Sequence, residues 1–158
     1  MPVLNRVLFN VLCKDLADSV AFYRELFGLE TVYDSDWFVI LSPAGQPNVQ
    51  IGLIDQVSEY TPRHAWGMHE GTYLTFVVDD VLDVMDRARA MGADIVTEAV
   101  ALDYGQTRGL IRDKNGMVID ISTPTEQLAA RGEEGVDFAD RDTMIDQGQP
   151  GDTARPFF

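Results

Sequence analysis

An acidic side chain sits inside an apolar run late in the chain, Met117-Val118-Ile119-Asp120-Ile121-Ser122. Strand alternation sends Met117, Ile119 and Ile121 to one side and Val118, Asp120 and Ser122 to the other. Asp120 is thereby aimed away from the apolar face, where a carboxylate can act as a general base or anchor a cation. A plainer reading stands beside it: a solvated strand residue, or an ion-pair partner of Arg108 or Arg112. On either reading Asp120 lies opposite Ile119 and Ile121, so Asp120→Ala opens no core cavity and is expected to cost about half a kcal/mol or less.

Tyr73 and Thr75 lie on one side of an earlier alternating run, with Leu74 and Phe76 on the other. Tyr73 is either a hydroxyl donor in a cleft or a half-buried strand aromatic. Asn10 and Gln50 take comparable polar positions in the first half of the chain. Flat aromatics could stack on a ligand. Trp66 lies in a polar loop beside Gly67, which suits a pocket rim. Trp37 begins a strand, where core packing is the simpler role. His64 and His69 lie five apart, a spacing that fits neither a helical face nor a strand face, so they read as loop or rim residues. Cys13 has no neighbouring histidine and reads as a structural thiol. Phosphate-binding glycine loops, HExxH and GxSxG are all missing from the sequence.

These side chains need a scaffold, and the pattern supplies one twice. A strand is expected over residues 3–13, with Val7, Phe9 and Val11 sharing a side. Asp15 is a suitable N-cap for a helix over 16–27, with Leu16, Val20, Tyr23 and Phe27 at core spacing and Gly28 as its stop. Strands follow over 30–33, 37–41 and 48–54. The same order then returns: a strand over 72–78, Asp80 as cap, and a helix over 81–91 with Val81, Val84, Ala88 and Met91 inward. Gly92 stops it, and strands follow over 95–99, 107–112 and 117–122. Asn115-Gly116 is a hairpin signal, because both residues tolerate positive φ. A shift of 64 places Asp15 on Asp79, Val20 on Val84 and Gly28 on Gly92. The chain therefore divides into a first module (1–54), a connector (55–70), a second module (71–123) and a C-terminal acidic tail (124–158). The expected class is α+β, with two tandem βαβββ modules forming a concave mixed sheet. In the tail, a short helix is expected over 126–131. The terminal Phe157-Phe158 pair either docks on the body or a second subunit, or ends in solvent.

Two βαβββ modules carrying "AFYRELFGLE", "VVDDVLDVMDRARAMGADIV" and "YGQTRGLIRDKNGMVIDIS" resemble the vicinal oxygen chelate superfamily, which includes glyoxalase I, bleomycin resistance proteins and extradiol dioxygenases. The Asp-Lys-Asn-Gly run resembles that family's Asp-Pro-Asp/Asn-Gly turn, with Lys114 in place of proline, and Tyr104-Gly105 resembles the aromatic–Gly pair before its penultimate strand, which implies that Tyr104 lines the cleft mouth. The resemblance implies metal-ligand positions on the first and last strands of each module. Here those positions hold Leu8 (or Phe9), Gly52, Tyr73 and Asp120, and only Asp120 is a good ligand. It therefore implies a small-molecule binding protein without metal or other cofactor, acting by sequestration of an antibiotic-like compound. A metal-dependent lyase or isomerase, and a metal-independent acid–base enzyme using Asp120, remain as alternatives.

The chain has 158 residues and a formal net charge of -14. Such acidity disfavours nucleic acid and anionic membranes as partners and suits a cationic or planar aromatic small ligand. One cysteine rules out an internal disulfide. No secretory signal or bilayer-length apolar run is apparent, so a cytoplasmic protein is expected. Exposed sheet edges suggest a homodimer.

Overall fold

The computed structural model describes residues 1–131. The expectations for a tail beyond residue 131, including Phe157 and Phe158, lie outside the described residues. The order is β1 (Phe9–Cys13), α1 (Leu16–Phe27), β2 (Glu30–Asp34), β3 (Phe38–Ser42), β4 (Ile51–Asp55), β5 (Leu74–Val77), α2 (Val81–Ala90), β6 (Asp94–Ala101), β7 (Gln106–Arg112), β8 (Val118–Pro124) and α3 (Thr125–Ala130). A 3-10 turn, Arg63–Ala65, interrupts the segment between β4 and β5. The class is α+β with two tandem βαβββ modules, each building a mixed four-stranded sheet. The chain forms two units. Asp113–Met117 belong to the first unit with Met1–Gly71, although they lie between two strands of the second.

In the first unit the sheet order is β1-β4-β3-β2, with β1 parallel to β4. Asp15 caps α1 by accepting from the Asp18 backbone N–H at 2.9 Å, leaving fewer orphan donors in the first turn. Gly28 ends the helix at φ 65°, a conformation that a side chain would strain. The buried face of α1 is Ser19, Phe22, Tyr23 and Leu26. Of the expected inward set only Tyr23 is fully buried; Leu16, Val20 and Phe27 are half-buried. Burial of a side chain such as Phe22 or Leu26 contributes about 1.5–3 kcal/mol. The first strand is shorter than expected. Phe9 pairs with Ile51, the first residue of β4, so residues 3–8 have no ladder partner there. Val3, Leu4 and Val7 are exposed accordingly.

The turn Asp113–Met117 is tied into this unit by polar contacts. The Tyr23 hydroxyl donates to Asp113 Oδ2 at 2.7 Å, and Asn115 Nδ2 donates to Ser19 Oγ at 3.0 Å. Asn115 Oδ1 accepts from the Lys14 N–H. Only Gly116 takes positive φ, 85°. Asn115 does not, so the expectation of two positive-φ residues fails. Its side chain instead links the turn to α1, and Asp113 Oδ1 closes the loop by accepting from the N–H groups of Asn115 and Met117.

In the second unit the order is β5-β8-β7-β6, again with the outer pair β5 and β8 parallel. Asp80 accepts from the N–H groups of Leu82 and Asp83 and opens α2. Val81, Val84, Met85 and Ala88 are buried. Met85 replaces the expected Met91 in the core and touches β7: a Cβ on Gly109 would stand 2.6 Å from Met85 Sδ. Ile111, Ile119 and Ile121 are fully buried. No helix among the described residues is long and apolar enough to cross a membrane.

Candidate functional site

Strand register assembles a polar cluster on the other face of the second sheet. Thr75 pairs with Asp120, Asp120 with Leu110, and Arg108 with Ser122. Side chains at paired positions share a face, so Thr75, Arg108, Leu110, Asp120 and Ser122 stand together, opposite Ile119 and Ile121. Asp120 points to the polar side as its sequence context suggests. It is not solvated, however: the residue is 7% exposed, and Arg108 is 4% exposed.

Arg108 Nε lies 3.3 Å from Asp120 Oδ2. Thr75 Oγ1 donates to the same oxygen at 3.2 Å. The Arg108–Asp120 contact is an ion pair without hydrogen-bond alignment, and Arg108 Nε and Asp120 Oδ1 are both buried without a hydrogen-bond partner. The Tyr73 ring stacks against the guanidinium, 5.8 Å from centroid to Cζ, a favourable cation–π distance. Burial raises the Asp120 carboxyl above its ordinary value, and the Arg108 charge and the Thr75 hydrogen bond act against that rise. Burial also raises the Tyr104 hydroxyl, while the Arg108 charge again pulls the other way. Tyr73, Tyr104 and Asp120 thus converge on one cation, Arg108, and Thr75 joins the cluster through Asp120. Of the two arginines considered for Asp120, Arg108 is the partner, and Arg112 reaches Asp94 at 3.4 Å instead.

The candidates of the first unit do not form one such cluster. Asn10 pairs with Gly52, and a Cβ on Gly52 would collide with Asn10 Oδ1 and come within 2.8 Å of Phe38 Cε2. The glycine is the space in which Asn10 and Phe38 meet. Gln50 Nε2 donates to the Pro47 carbonyl at 2.7 Å. Gln50 also lines a cavity of about 470 Å³ with Leu4, Arg6, Val7 and Asn48. Trp37 is half-buried and packs on Tyr60 at 4.7 Å between ring centroids. Trp66 is half exposed with Arg63 over its ring at 5.7 Å. His69 Nε2 lies 3.3 Å from the Leu12 carbonyl, and His64 lies in the 3-10 turn. Cys13 is fully buried, which pushes its thiol up to about 11 and leaves it protonated at neutral pH.

The residues present do not fit a metal ion. Among the described residues no three His, Cys, Asp or Glu side chains come together. At the positions where the family resemblance implies ligands, Leu8 and Gly52 have no donor atom. Tyr73 is a neutral phenol, and Asp120 is already engaged by a permanent cation. A catalytic divalent site generally needs about three protein ligands.

Arg108 escaped the sequence reading of the site, where it stood only as a possible partner of Asp120. Its one signal was a charge placed two residues before Leu110 in the run Thr107-Arg108-Gly109-Leu110-Ile111.

The profile of the Glyoxalase/Bleomycin resistance protein/Dioxygenase superfamily matches residues 4–121. No curated protein matches the chain. Among solved structures, an integron cassette protein from V. cholerae is 22% identical, with a TM-score of 0.61 over 78% of this chain and 97% of the other. Lactoylglutathione lyase from Agrobacterium tumefaciens is 24% identical, with a TM-score of 0.58 over 78% of this chain and 96% of that one. TioX from Micromonospora sp. ML1 is 20% identical, with a TM-score of 0.60 over 76% and 98%. These likenesses establish the fold.

Proposed function

Because this chain belongs to the glyoxalase/bleomycin resistance protein/dioxygenase superfamily, we propose that it is a small-molecule binding member that works by capture and without a metal. One observation carries the reading: the buried Arg108–Asp120 pair. The position where the family's metal enzymes hold a ligand carboxylate here holds one compensated by a guanidinium. A divalent ion at Asp120 would face that fixed positive charge in a poorly solvated place, where charge repulsion is strong.

The rest of the cluster is suited to holding a molecule. Tyr73, more than half exposed, offers a flat apolar surface and a phenolic hydroxyl. Thr75 and Tyr104 add hydroxyls beside the ion pair. Capture needs only complementary surface and a few placed polar groups. The acidic surface of the whole chain concentrates cationic or amphipathic compounds around it. Two copies would cover the exposed edges of β2, as the homodimer expectation requires.

Isothermal titration against a panel of planar antibiotic-like compounds tests the proposal, run with and without a strong chelator. Binding that is unchanged by the chelator and weakened in Tyr73→Ala supports it. A panel in which binding appears only when divalent ion is added would sink it.

A second reading has an observation of its own. Burial holds the Asp120 carboxyl above its ordinary value, as catalysis by a general acid or base often requires. Turnover of a bound compound that is abolished in Asp120→Asn, with binding retained, would favour that enzyme over simple capture.

A further inference from the structure

Two atoms of one buried ion pair in the second unit lack an aligned hydrogen bond. Asp120 Oδ1 is an acceptor with no donor, and Arg108 Nε, although 3.3 Å from Asp120 Oδ2, makes no aligned hydrogen bond. They belong to residues that are more than nine-tenths buried and to one ion pair. Buried polar groups are almost always satisfied, so a bare carboxylate oxygen and an unaligned N–H of opposite kind in one pair call for an explanation. Thr75 occupies the other carboxylate oxygen.

We propose that the ligand presents an uncharged, planar edge with adjacent donor and acceptor, of the carboxamide or lactam kind, to Asp120 and Arg108. The inference rests on the capture reading above and names the chemistry of its ligand. The N–H of such an edge donates to Asp120 Oδ1, and its carbonyl accepts from Arg108 Nε. The two protein charges cancel, so the pair recognises a dipole. A cationic head group would satisfy Asp120 but stand against Arg108, and an anionic one would do the reverse. In a poorly solvated site, like-charge contact is costly. The chain's acidic exterior draws cations near, but the pair inside selects against them.

The Tyr73 ring covers one face of the guanidinium and is 57% exposed. An exposed side chain changes rotamer within nanoseconds, so the ring can swing to admit a flat molecule and stack on it. An aromatic or conjugated frame behind the amide edge follows from that contact.

Three probes of nearly equal shape test the claim: benzamide, benzamidinium and benzoate, titrated by ligand-observed NMR against the full chain. Benzamide is expected to bind the wild type about tenfold more tightly than either ion, from the like-charge contact each ion meets. Asp120→Asn should shift the preference to benzoate, and Arg108→Gln to benzamidinium. Single variants leave one buried charge uncompensated, so the double variant Arg108→Gln/Asp120→Asn is measured as well. It carries no buried charge, and it should bind both ions more nearly as well as benzamide. A wild type that prefers either ion, or that binds none of the three, overturns the inference. So does a double variant that discriminates as the wild type does. Capture of a planar cation in the wider drug panel, unaffected by chelator, would leave the metal-free binding reading standing while removing this one.

Discussion

Arg108 and Asp120 meet across neighbouring antiparallel strands, Nε to Oδ2 at 3.3 Å, with side chains 5% and 10% exposed. An ion pair so placed is poorly solvated. Its net contribution to stability is small or even negative, yet breaking it by halves is costly, because one charge then remains buried alone.

The first prediction concerns that asymmetry. Asp120→Ala leaves Arg108 buried without its partner and should destabilise the protein by about 3 kcal/mol. This replaces the near-neutral outcome expected from the place of Asp120 on the polar side of its strand. Asp120→Asn keeps an acceptor for Thr75 but leaves the Arg108 charge equally uncompensated, so it should cost a comparable amount. Arg108→Met/Asp120→Leu, which removes both charges, should recover most of the loss. Urea unfolding of the four proteins measures it, and equal losses in Asp120→Ala and the double variant would contradict it.

The second is a pH dependence. The folded carboxyl of Asp120 keeps its proton to higher pH than the unfolded chain does. Its contribution is therefore complete below the unfolded value, about 3.9, and is lost as pH rises through the raised folded value. Asn at this position cannot titrate. The stability of the wild type relative to Asp120→Asn should fall as pH rises through that window. A difference that grows with pH would show that Arg108 outweighs burial.

The third concerns Gly52. Any Cβ there meets the side chains of Asn10 and Phe38. Gly52→Ala should cost about 1–3 kcal/mol through overpacking, and Asn10→Ala in the same chain should return part of that. Additive single effects in a double-mutant cycle would mean that the two residues do not share the space.

The fourth is assembly. β2 is an edge strand with all five residues exposed, and Val32 and Tyr33 are each about half exposed. Long exposed edges are usually covered. Sedimentation equilibrium at micromolar concentration should give a dimer; a monomer at every concentration tested would remove the homodimer proposal.

Much of this was legible in the sequence. The caps Asp15 and Asp80, the stop at Gly28 and the alternation around Asp120 are local signals, and each element they define is present. Failures came where distant partners decide. Residues 3–8 alternate well enough for a strand, but β4 starts at Ile51 and gives them nothing to pair with. Ser19 took no part in the expected inward face of α1, yet it is buried, and Asn115, 96 residues away, donates to it. Two adjacent apolar stripes run along α1, and spacing alone does not choose between Leu16-Val20 and Phe22-Leu26. Arg108 is the same case at the site. A lone arginine in a strand reads as exposed, and only the register of β7 on β8 sets it against Asp120.

The central claim is that Asp120 belongs to Arg108 and not to a metal. Elemental analysis tests it most directly, on protein produced in metal-supplemented medium and purified without chelator, wild type beside Asp120→Asn. The account predicts no stoichiometric divalent metal in either protein. A tightly held divalent ion in every wild-type chain, absent from the variant, would contradict it and return the site to metal chemistry.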